Sequence, residues 1–581
     1  MGAFFLTRAE AGVPEPQNVA RLKRVFADEG LGIPREFRAQ GWHIAVYPKL
    51  CGGDARLHVV DADNFAFVAG TLLYKGKTGH EALETLFSDV ASGRFDWEDA
   101  RGAYALGLCQ AGRFTLRCDP VGVYKIYRDD SWRVIASSFP AILATIPAPT
   151  ARRQGVYEYV FQAATYGSKT VIDQIMVADH RHVIELGAPV RLLPVPPAPQ
   201  GAAAEQPFDV HLERSLAVLR TWFRDIVSVF GDNIEVALSG GYDSRFILAL
   251  LREQGIRPRL YVYGRAQDKD VCIAHKIAAG EGLPLRHTDK ALRPKPPPDA
   301  LASVVAHNCL LFDGYPPDGI FDTGADAATR AERAAGGALV LTGGGGEIFR
   351  NFFHLPDRPF TVRQMIWTFY SQYDPASCTT AFREADYVAE LAAATAHTLG
   401  RNSDALTRWE IEYLYPYFRC SYWMGRGHSI DQVFGFALAP FAIGQVIAAA
   451  LDVPIRFKNH GRFEAAMIRA ADPALARYPS NYGHDFTGDP PLACRLKEYG
   501  NLLRPPVLRR YSFRIKNRRP APRPYALRAE NLRHVIDPGF PAMSAFFRPD
   551  RVHETSQFAR LCTLEYLFSR YGVNCRAGDG C

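Results

Sequence analysis

Residues 239–244, which read Ser-Gly-Gly-Tyr-Asp-Ser, have the composition of an anion-binding turn. They follow an apolar run at 234–238 that is typical of a buried strand. After the turn, apolar residues recur at helical spacing from Phe246 onward. Amides at the start of a helix lack partners within it, and the two glycines let a polyanion approach the backbone closely. The segment therefore predicts a phosphate-binding loop between a strand and a helix.

The loop also indicates which phosphate chemistry to expect. It lacks the lysine of the Walker P-loop, so it is not that motif. It resembles the SGGxDS pyrophosphate loop of ATP pyrophosphatases, which cleave ATP between the α and β phosphates and adenylate a substrate. The resemblance implies ATP as the cofactor.

A proline-rich stretch at 193–207 divides the chain, and we predict a semi-rigid linker over 196–207. The linker separates an N-terminal domain, 1–195, from a C-terminal domain, 208–581. Short strand-like runs in the first part are separated by turn residues, which predicts an antiparallel sandwich with a few helices. These runs are 57–60, 65–69, 104–108, 114–118 and 132–136.

The second part begins with alternating strand and helix patterns. Strand-like runs at 234–238, 258–263 and 338–341 are spaced by helical patterns, which predicts βαβ units and a parallel sheet. In such sheets ligands bind beyond the carboxyl ends of the strands, where Ser239 and Thr342 lie. From about residue 360 the pattern is mostly helical. The expected fold class is therefore α/β plus α+β.

The whole chain resembles the asparagine synthetase family, which includes β-lactam synthetases and lasso-peptide cyclases. The segments that carry the resemblance lie in both parts of the chain: 101–105, 119–127, 169–175, 239–244, 262–264, Asp270 with Ala274, and 341–349. The resemblance implies an N-terminal Ntn-type sandwich like that of glutamine amidotransferases. It also implies a C-terminal adenine-nucleotide α-hydrolase-like domain with a helical end.

The first departure from this family is at the N-terminus. The family's glutaminase uses a cysteine at position 2, activated by its own α-amine. Here position 2 is Gly2, and the first cysteine is Cys51. Glutamine hydrolysis is therefore not expected. The departure favours the β-lactam synthetase and lasso-cyclase branch, in which the substrate provides the amine.

Two further departures affect the synthetase site. The family has an Asp-Glu pair after the glycines of the segment that resembles 341–349. Here Gly346 and Glu347 stand at the place of that pair, and the segment is one residue shorter. The resemblance implies Mg²⁺, and Asp243 and Glu347 are the expected metal ligands. The family's late lysine is missing from 479–486. His484 in that segment, or Lys458 or Lys497 outside it, is expected to substitute for the lysine, a choice that the sequence leaves open.

The expected catalytic residues are Asp243, Glu347 and His484. The resemblance, with the loop, also predicts a nucleotide pocket lined by Leu238, Ser239, Gly240, Gly241, Tyr242, Asp243, Ser244, Val262, Thr342 and Gly343. For Leu238 and Val262 the alternative is a purely structural place in the core of the sheet.

We therefore expect an ATP-dependent ligase that joins a carboxylate to an amine through an acyl-adenylate. One alternative is asparagine synthetase-type amidation of a small acid, sugar acid or peptide with ammonia. Another is a catalytically impaired nucleotide-binding scaffold. The expected partner is a small-molecule or peptide carboxylate; a lasso-type substrate would come with a precursor peptide and a partner protease.

The composition and the N-terminal residues bear on the cellular compartment and on the partners of the protein. Eleven cysteines without a C-x-x-C pair indicate reduced thiols, and Arg8 and Glu10 interrupt any signal peptide, so a cytoplasmic protein is expected. The apolar stretch 434–451 contains Pro440 and Gln445, which predicts a buried core helix and no membrane span. A net charge of +7 does not predict a nucleic-acid partner. The basic segment 504–528 is either a clamp for a peptide, an acidic substrate or RNA, or a solvated loop or helix face.

Overall fold

The computed structural model describes residues 2–8, 16–52, 57–195 and 206–575. The predicted linker lies outside these described residues, except for its last two positions. We refer to residues 2–195 as the N-terminal half and to residues 206–575 as the C-terminal half.

The N-terminal half contains two antiparallel sheets with helices packed on them. Its described strands are Ala3–Arg8 (β1), Arg35–Ala39 (β2), Trp42–Tyr47 (β3), Leu57–Asp61 (β4), Asn64–Tyr74 (β5), Lys77–Thr78 (β6), Ala100–Gln110 (β7), Arg113–Cys118 (β8), Tyr127–Asp129 (β9), Val134–Ala136 (β10), Ile175–Val177 (β11), His182–Glu185 (β12) and Arg191–Pro194 (β13). Its described helices are Pro16–Asp28 (α1), Gly79–Ala91 (α2), Phe139–Leu143 (α3) and Arg153–Gln162 (α4).

One sheet has the strand order β11-β9-β10-β1-β3-β2, and the other has the order β13-β12-β8-β7-β5-β4, with β6 paired to β5. The long strands β5 and β7 pair along their whole length, from Phe65 opposite Cys109 to Tyr74 opposite Ala100. Strand β5 is buried on both faces beyond its first residue, because one face packs on the first sheet and the other contacts α2 and the C-terminal half. The predicted antiparallel strands are thus confirmed.

The C-terminal half is organised around a parallel sheet. Its described strands are Ile234–Ala237 (β14), Arg259–Tyr263 (β15), Leu285–Thr288 (β16), Leu339–Leu341 (β17), Phe360–Thr361 (β18), Ala405–Leu406 (β19) and Phe436–Leu438 (β20). The parallel sheet contains five of these strands in the order β16-β15-β14-β17-β20, and each neighbouring pair in it is parallel. The predicted parallel sheet is therefore confirmed.

Helices surround this sheet and form most of the chain beyond it. The described α-helices are Phe208–Phe230 (α5), Asp243–Glu253 (α6), Lys269–Glu281 (α7), Leu301–Leu311 (α8), Ala325–Ala334 (α9), Val362–Phe369 (α10), Glu384–Leu399 (α11), Arg408–Leu414 (α12), Gly425–Phe434 (α13), Gly444–Leu451 (α14), Ile455–Lys458 (α15), Arg462–Ala471 (α16), Pro473–Ala476 (α17), Leu492–Leu503 (α18), Pro506–Arg509 (α19), Ser512–Lys516 (α20), Ala529–Leu532 (α21) and Thr555–Tyr571 (α22). Between α12 and α13 the chain is a π-helix, Tyr415–Met424.

The apolar stretch 434–451 does not form the single core helix that its composition predicts. It contains the edge strand β20, a turn and then helix α14. Pro440 lies in that turn, where its missing N–H is not needed for strand pairing. Among the described helices, none combines the length and the apolar character that crossing a membrane requires.

The two halves share one apolar core, and buried polar groups join them. Asp313 accepts hydrogen bonds from the Tyr127 hydroxyl and the Phe139 amide, both at 2.6 Å, and pairs with Arg426 at 3.2 Å. The Lys49 ammonium donates to the Gln432 carbonyl at 2.7 Å. Such contacts hold the halves in one orientation, because separating them would leave these groups without partners.

One buried carboxyl near this junction makes stability depend on pH. Glu29 is 5% exposed and accepts a hydrogen bond from Ser138 Oγ at 2.7 Å, and burial raises its pKa to about 8. The folded chain thus keeps this proton up to about pH 8, whereas the unfolded chain loses it near its ordinary pKa of about 4.3. The contribution to stability is complete below that ordinary value and is lost as pH rises toward the folded pKa.

We expect Glu29→Gln to unfold like the wild type at pH 4 and to be more stable by about 4 kcal/mol at pH 8. The amide cannot ionise, so the variant lacks the cost that the wild type carries at alkaline pH. Urea denaturation at both pH values measures the difference, with the exposed Glu81→Gln as the control. Equal stabilities of Glu29→Gln and wild type at pH 8 would contradict the buried protonated state.

Candidate functional site

The two glycine-containing turns singled out in the sequence lie side by side in the fold. Strand β14 pairs with β17, and the turns 239–242 and 342–345 follow their carboxyl ends. Strand β14 pairs on its other side with β15, the next strand in the chain. The sheet order therefore reverses at β14, and the crevice outside such a switch point is where open parallel sheets bind ligands.

The loop after β14 is closed by protein groups. The Ser239 amide donates to Ser244 Oγ at 3.0 Å, and the Gly241 amide donates to Ser239 Oγ at 3.2 Å. The Gly240 amide donates to Asp270 Oδ1 at 2.7 Å. The sequence predicts outward, unpaired amides here, but these three already have acceptors. An anion that enters the loop must replace the two hydroxyls or the Asp270 carboxylate as their partner.

Arg350 is the central residue of the site. Its Nη2 donates to both carboxylate oxygens of Asp243, at 2.9 and 2.8 Å. Its Nε lies 2.9 Å from Glu464 Oε2, and its Nη1 donates to the Tyr482 hydroxyl at 2.9 Å. The Arg350 guanidinium carbon lies 5.2 Å from the ring centroid of Tyr242. One cation thus joins the loop, the second glycine turn and helix α16.

More acidic groups than cations meet around Arg350. Glu347 accepts a hydrogen bond from the Tyr415 hydroxyl of the π-helix, and its Oε1 lies 3.9 Å from Arg350 Nη2. Burial raises the pKa of Asp243, while Arg350 opposes that shift. Burial and the nearby Asp243 carboxylate hold the pKa of Glu464 well above its usual range. Each of these two acids therefore loses its proton at a higher pH than a free carboxyl does.

The donor set does not fit the Mg²⁺ site that the resemblance implies. Mg²⁺ requires carboxylate oxygens free to coordinate it, yet both oxygens of Asp243 accept from Arg350. A Cβ on Gly346 would lie 2.1 Å from Asp243 Oδ1, so this arrangement has no room for the family's aspartate. Arg350 provides the positive charge beside Asp243.

A cavity of about 650 Å³ adjoins this cluster. Tyr242, Glu347, Arg350, His484 and Lys497 are among the residues that line it. Lys458 is fully buried, and its ammonium lies 2.9 Å from Glu412 Oε2. Of the three substitutes for the family's missing lysine, the fold therefore brings His484 and Lys497 to the site and holds Lys458 in a buried ion pair.

The remaining predicted pocket residues divide into two groups. Leu238 and Val262 are buried members of the apolar core, which favours the structural alternative for both. Thr342 Oγ1 lies 3.1 Å from His428 Nε2. A Cβ on Gly343 would lie 2.8 Å from Asp243 Cβ, so a glycine is needed where the two turns meet.

A buried arginine ties the late segment 478–486 to the loop. Arg245 is 0% exposed and donates to the carbonyls of Tyr478 at 2.8 Å and Pro479 at 2.7 Å. Its guanidinium also lies 4.5 Å from the ring centroid of Phe486. The Asn481 amide donates to the Gly240 carbonyl at 3.0 Å. These contacts place His484 beside the cavity.

Sequence reasoning missed four residues of the site: Arg245, Arg350, Tyr415 and Glu464. Arg245 and Arg350 each follow a recognised motif directly, so a charged residue next to each motif was an available signal. Tyr415 and Glu464 lie in helical segments without a distinctive pattern, and no local signal marks them.

The position of the family's nucleophile is closely packed here. A Cβ on Gly2 would lie 2.9 Å from the Pro48 carbonyl oxygen and 3.1 Å from Lys49 Cα. The Gly2 amide donates to the Tyr47 carbonyl at 3.0 Å. The position therefore offers neither a nucleophile nor space for a side chain.

The basic segment 504–528 is partly anchored to the rest of the protein. Arg509 donates to the carbonyls of Phe353 at 2.9 Å and His354 at 2.7 Å. Arg510 and Arg514 pair with Glu384 at 2.6 and 3.2 Å. These three arginines fix short helices against the core and are not free to clamp a ligand.

No protein-family model matches the chain, and no curated protein is significantly similar to it.

Proposed function

We propose that the protein is an ATP-dependent ligase that activates a substrate carboxylate as an acyl-adenylate and joins it to an amine. The observation that carries the proposal is the meeting of the two small-residue turns at the switch point of a parallel sheet. In this proposal residues 1–195 form an Ntn-type sandwich that lacks the glutaminase nucleophile. Residues 208–581 form an adenine-nucleotide α-hydrolase-like domain with a helical end.

In the first step, a carboxylate oxygen attacks the α-phosphorus of ATP. The bond between the α-phosphorus and its bridging oxygen breaks, and pyrophosphate leaves with the electron pair. Charge increases on the phosphate oxygens, so preorganised donors beside them are the main source of catalysis. The hydroxyls of Ser239 and Ser244, which lie 3.0 Å apart, and the Arg350 guanidinium are the groups proposed for this role.

In the second step, an amine nitrogen attacks the carbonyl carbon of the adenylate, AMP leaves and the amine loses a proton. His484 is proposed as the acceptor of that proton. Its Nδ1 lies 2.6 Å from the Asp485 carbonyl and therefore carries the ring hydrogen, which leaves Nε2 as the basic nitrogen. Lys497, which also lines the cavity, adds positive charge to it.

A nucleotide-binding scaffold without catalysis is the second candidate. It is favoured by the three loop amides that already have acceptors and by the pairing of Asp243 with Arg350. Amidation with free ammonia shares the adenylation step of the first proposal and differs only in its amine.

Exchange of labelled pyrophosphate into ATP, measured with a panel of small and peptide carboxylates, tests the proposal. We expect the wild type to catalyse exchange with at least one carboxylate. The double variant Ser239→Ala with Ser244→Ala should lose this exchange, and the control Ser228→Ala, at an exposed position, should keep it. ATP binding without exchange or AMP release would identify a scaffold. Absence of both binding and exchange would overturn both candidates.

A further inference from the structure

A second cavity, of about 580 Å³, lies where the two halves meet. The N-terminal half contributes Trp97, Arg117 and His180 to its lining, and the C-terminal half contributes Tyr413 and Tyr417. None of its lining residues belongs to the cavity beside Arg350. It is therefore a separate site, and the inference drawn from it is independent of the proposed function.

Four arginines line this cavity, and three of them have carboxylate partners. Arg101 pairs with Asp225 at 2.7 Å. The other two paired arginines are Arg181, which lies 2.6 Å from Asp179, and Arg214, which lies 2.7 Å from Asp452. Their charges are compensated inside the protein.

The fourth arginine, Arg117, has no such partner. It is only 5% exposed, and its Nε has no hydrogen-bond partner in the described parts of the chain. Its guanidinium carbon lies over the face of Trp97, 4.2 Å from the ring centroid. The oxygens of the neighbouring Asp119 instead accept from the amides of Val121, Val123 and Tyr124. A buried cation without an anion is costly.

Apart from the arginines and Glu98, whose side chain is exposed to solvent, the lining residues of the cavity are apolar or neutral. Tyr413 and Tyr417 stack with ring centroids 4.4 Å apart, and Ile443 and Ala449 add aliphatic surface. Burial and the nearby cations lower the pKa of His180 to about 3, so its imidazole is neutral at physiological pH. Among the described lining residues, Arg117 therefore carries the buried charge without a partner, whereas the carboxylate of Glu98 is solvated.

We propose that this cavity binds a carboxylate on an apolar body, with the carboxylate paired to Arg117. A guanidinium matches a carboxylate in a two-point contact, and the exclusion of water strengthens that pair. One positive charge fits a monoanion, whereas a phosphate dianion would bring a second buried charge without a partner. The volume lies in the range of sites for small organic ligands.

Calorimetric titration of the full chain with octanoate tests the proposal, with 1-octanol as the uncharged comparison. We expect octanoate to bind at one site and at least ten times more tightly than octanol. Arg117→Met should weaken the binding of octanoate by at least tenfold and leave the binding of octanol unchanged. The control is Arg113→Met on the same strand, whose side chain is largely exposed, and it should bind octanoate as the wild type does.

A second variant keeps Arg117 and fills the cavity instead. Gly444 lines the cavity, and a Cβ there would meet no atom within 4 Å, so Gly444→Leu should fold and exclude octanoate. Equal binding of octanoate and octanol, unchanged octanoate binding by Arg117→Met or by Gly444→Leu, or no octanoate binding to the wild type would each overturn the proposal. None of these measurements involves ATP, so the result is separate from the exchange assay.

Discussion

Replacing Arg350 by methionine is expected to lower the free energy of unfolding by about 3–5 kcal/mol at pH 8. Arg350 is the cation that Asp243 and Glu464 share, and Glu464 is fully buried. Methionine fills much of the same space but leaves the two carboxyls and Glu347 without a positive neighbour. The folded state must then hold buried negative charge or keep protons that the unfolded chain releases.

The same reasoning sets the pH dependence of this effect. Burial already raises the pKa values of Asp243 and Glu464, and Arg350 opposes the increase. Without Arg350 both pKa values rise further, so the folded variant binds more protons than the unfolded chain over a wider range. A raised carboxyl pKa stabilises the fold at acidic pH, and this contribution is lost as pH rises. The deficit of Arg350→Met is therefore expected to be largest at pH 8 and less than half as large at pH 4.5.

Urea denaturation of wild type and Arg350→Met at the two pH values measures this deficit. Arg350→Lys is the conservative control; it keeps the charge but loses the forked hydrogen bonds, so we expect an intermediate loss. Adding Glu464→Gln to Arg350→Met should recover part of the stability, because it removes one of the unpaired carboxyls. A deficit of Arg350→Met that is independent of pH would show that Arg350 does not compensate these acids.

Replacing Arg245 by methionine is expected to cost about 3–4 kcal/mol and to loosen residues 478–486. The Arg245 guanidinium donates to three backbone carbonyls, those of Leu475, Tyr478 and Pro479. Among the described residues no other donor reaches the Tyr478 and Pro479 carbonyls, whereas the Leu475 carbonyl also accepts from the Tyr478 amide at 3.4 Å. The segment that carries His484 would then lose its attachment to helix α6.

Hydrogen exchange measured by mass spectrometry can separate local loosening from global loss of stability. In Arg245→Met we expect faster exchange at 478–486 than at the distant strands β5 and β7 under native conditions. Arg477→Met, an exposed arginine next to the same segment, is the control and should exchange as the wild type does. Unchanged protection of 478–486 in Arg245→Met would contradict the anchoring role.

Several elements of the fold could be predicted because they depend on short-range pattern. Apolar runs at 234–238, 258–263 and 338–341 indicated strands, and helical spacing between them indicated a parallel sheet; the observed β14, β15 and β17 lie in these runs. The exception is 434–451, where composition predicted one helix and the chain forms β20 and α14. Pairing with β17 decides that strand, and periodicity within the segment does not reveal it.

The sequence by itself determined the strand, turn and helix around Ser239, the absence of a nucleophile at Gly2 and the set of groups that could act in the site. These features depend on backbone freedom and apolar spacing over a few neighbouring residues. Only the tertiary structure decided that Arg350 reaches Asp243, that Lys458 is held by Glu412, and that Arg117 lies buried without an anion. Each of these outcomes depends on which charges the fold brings together from distant segments and removes from water, because the energy of a buried charge is set by its neighbours in space.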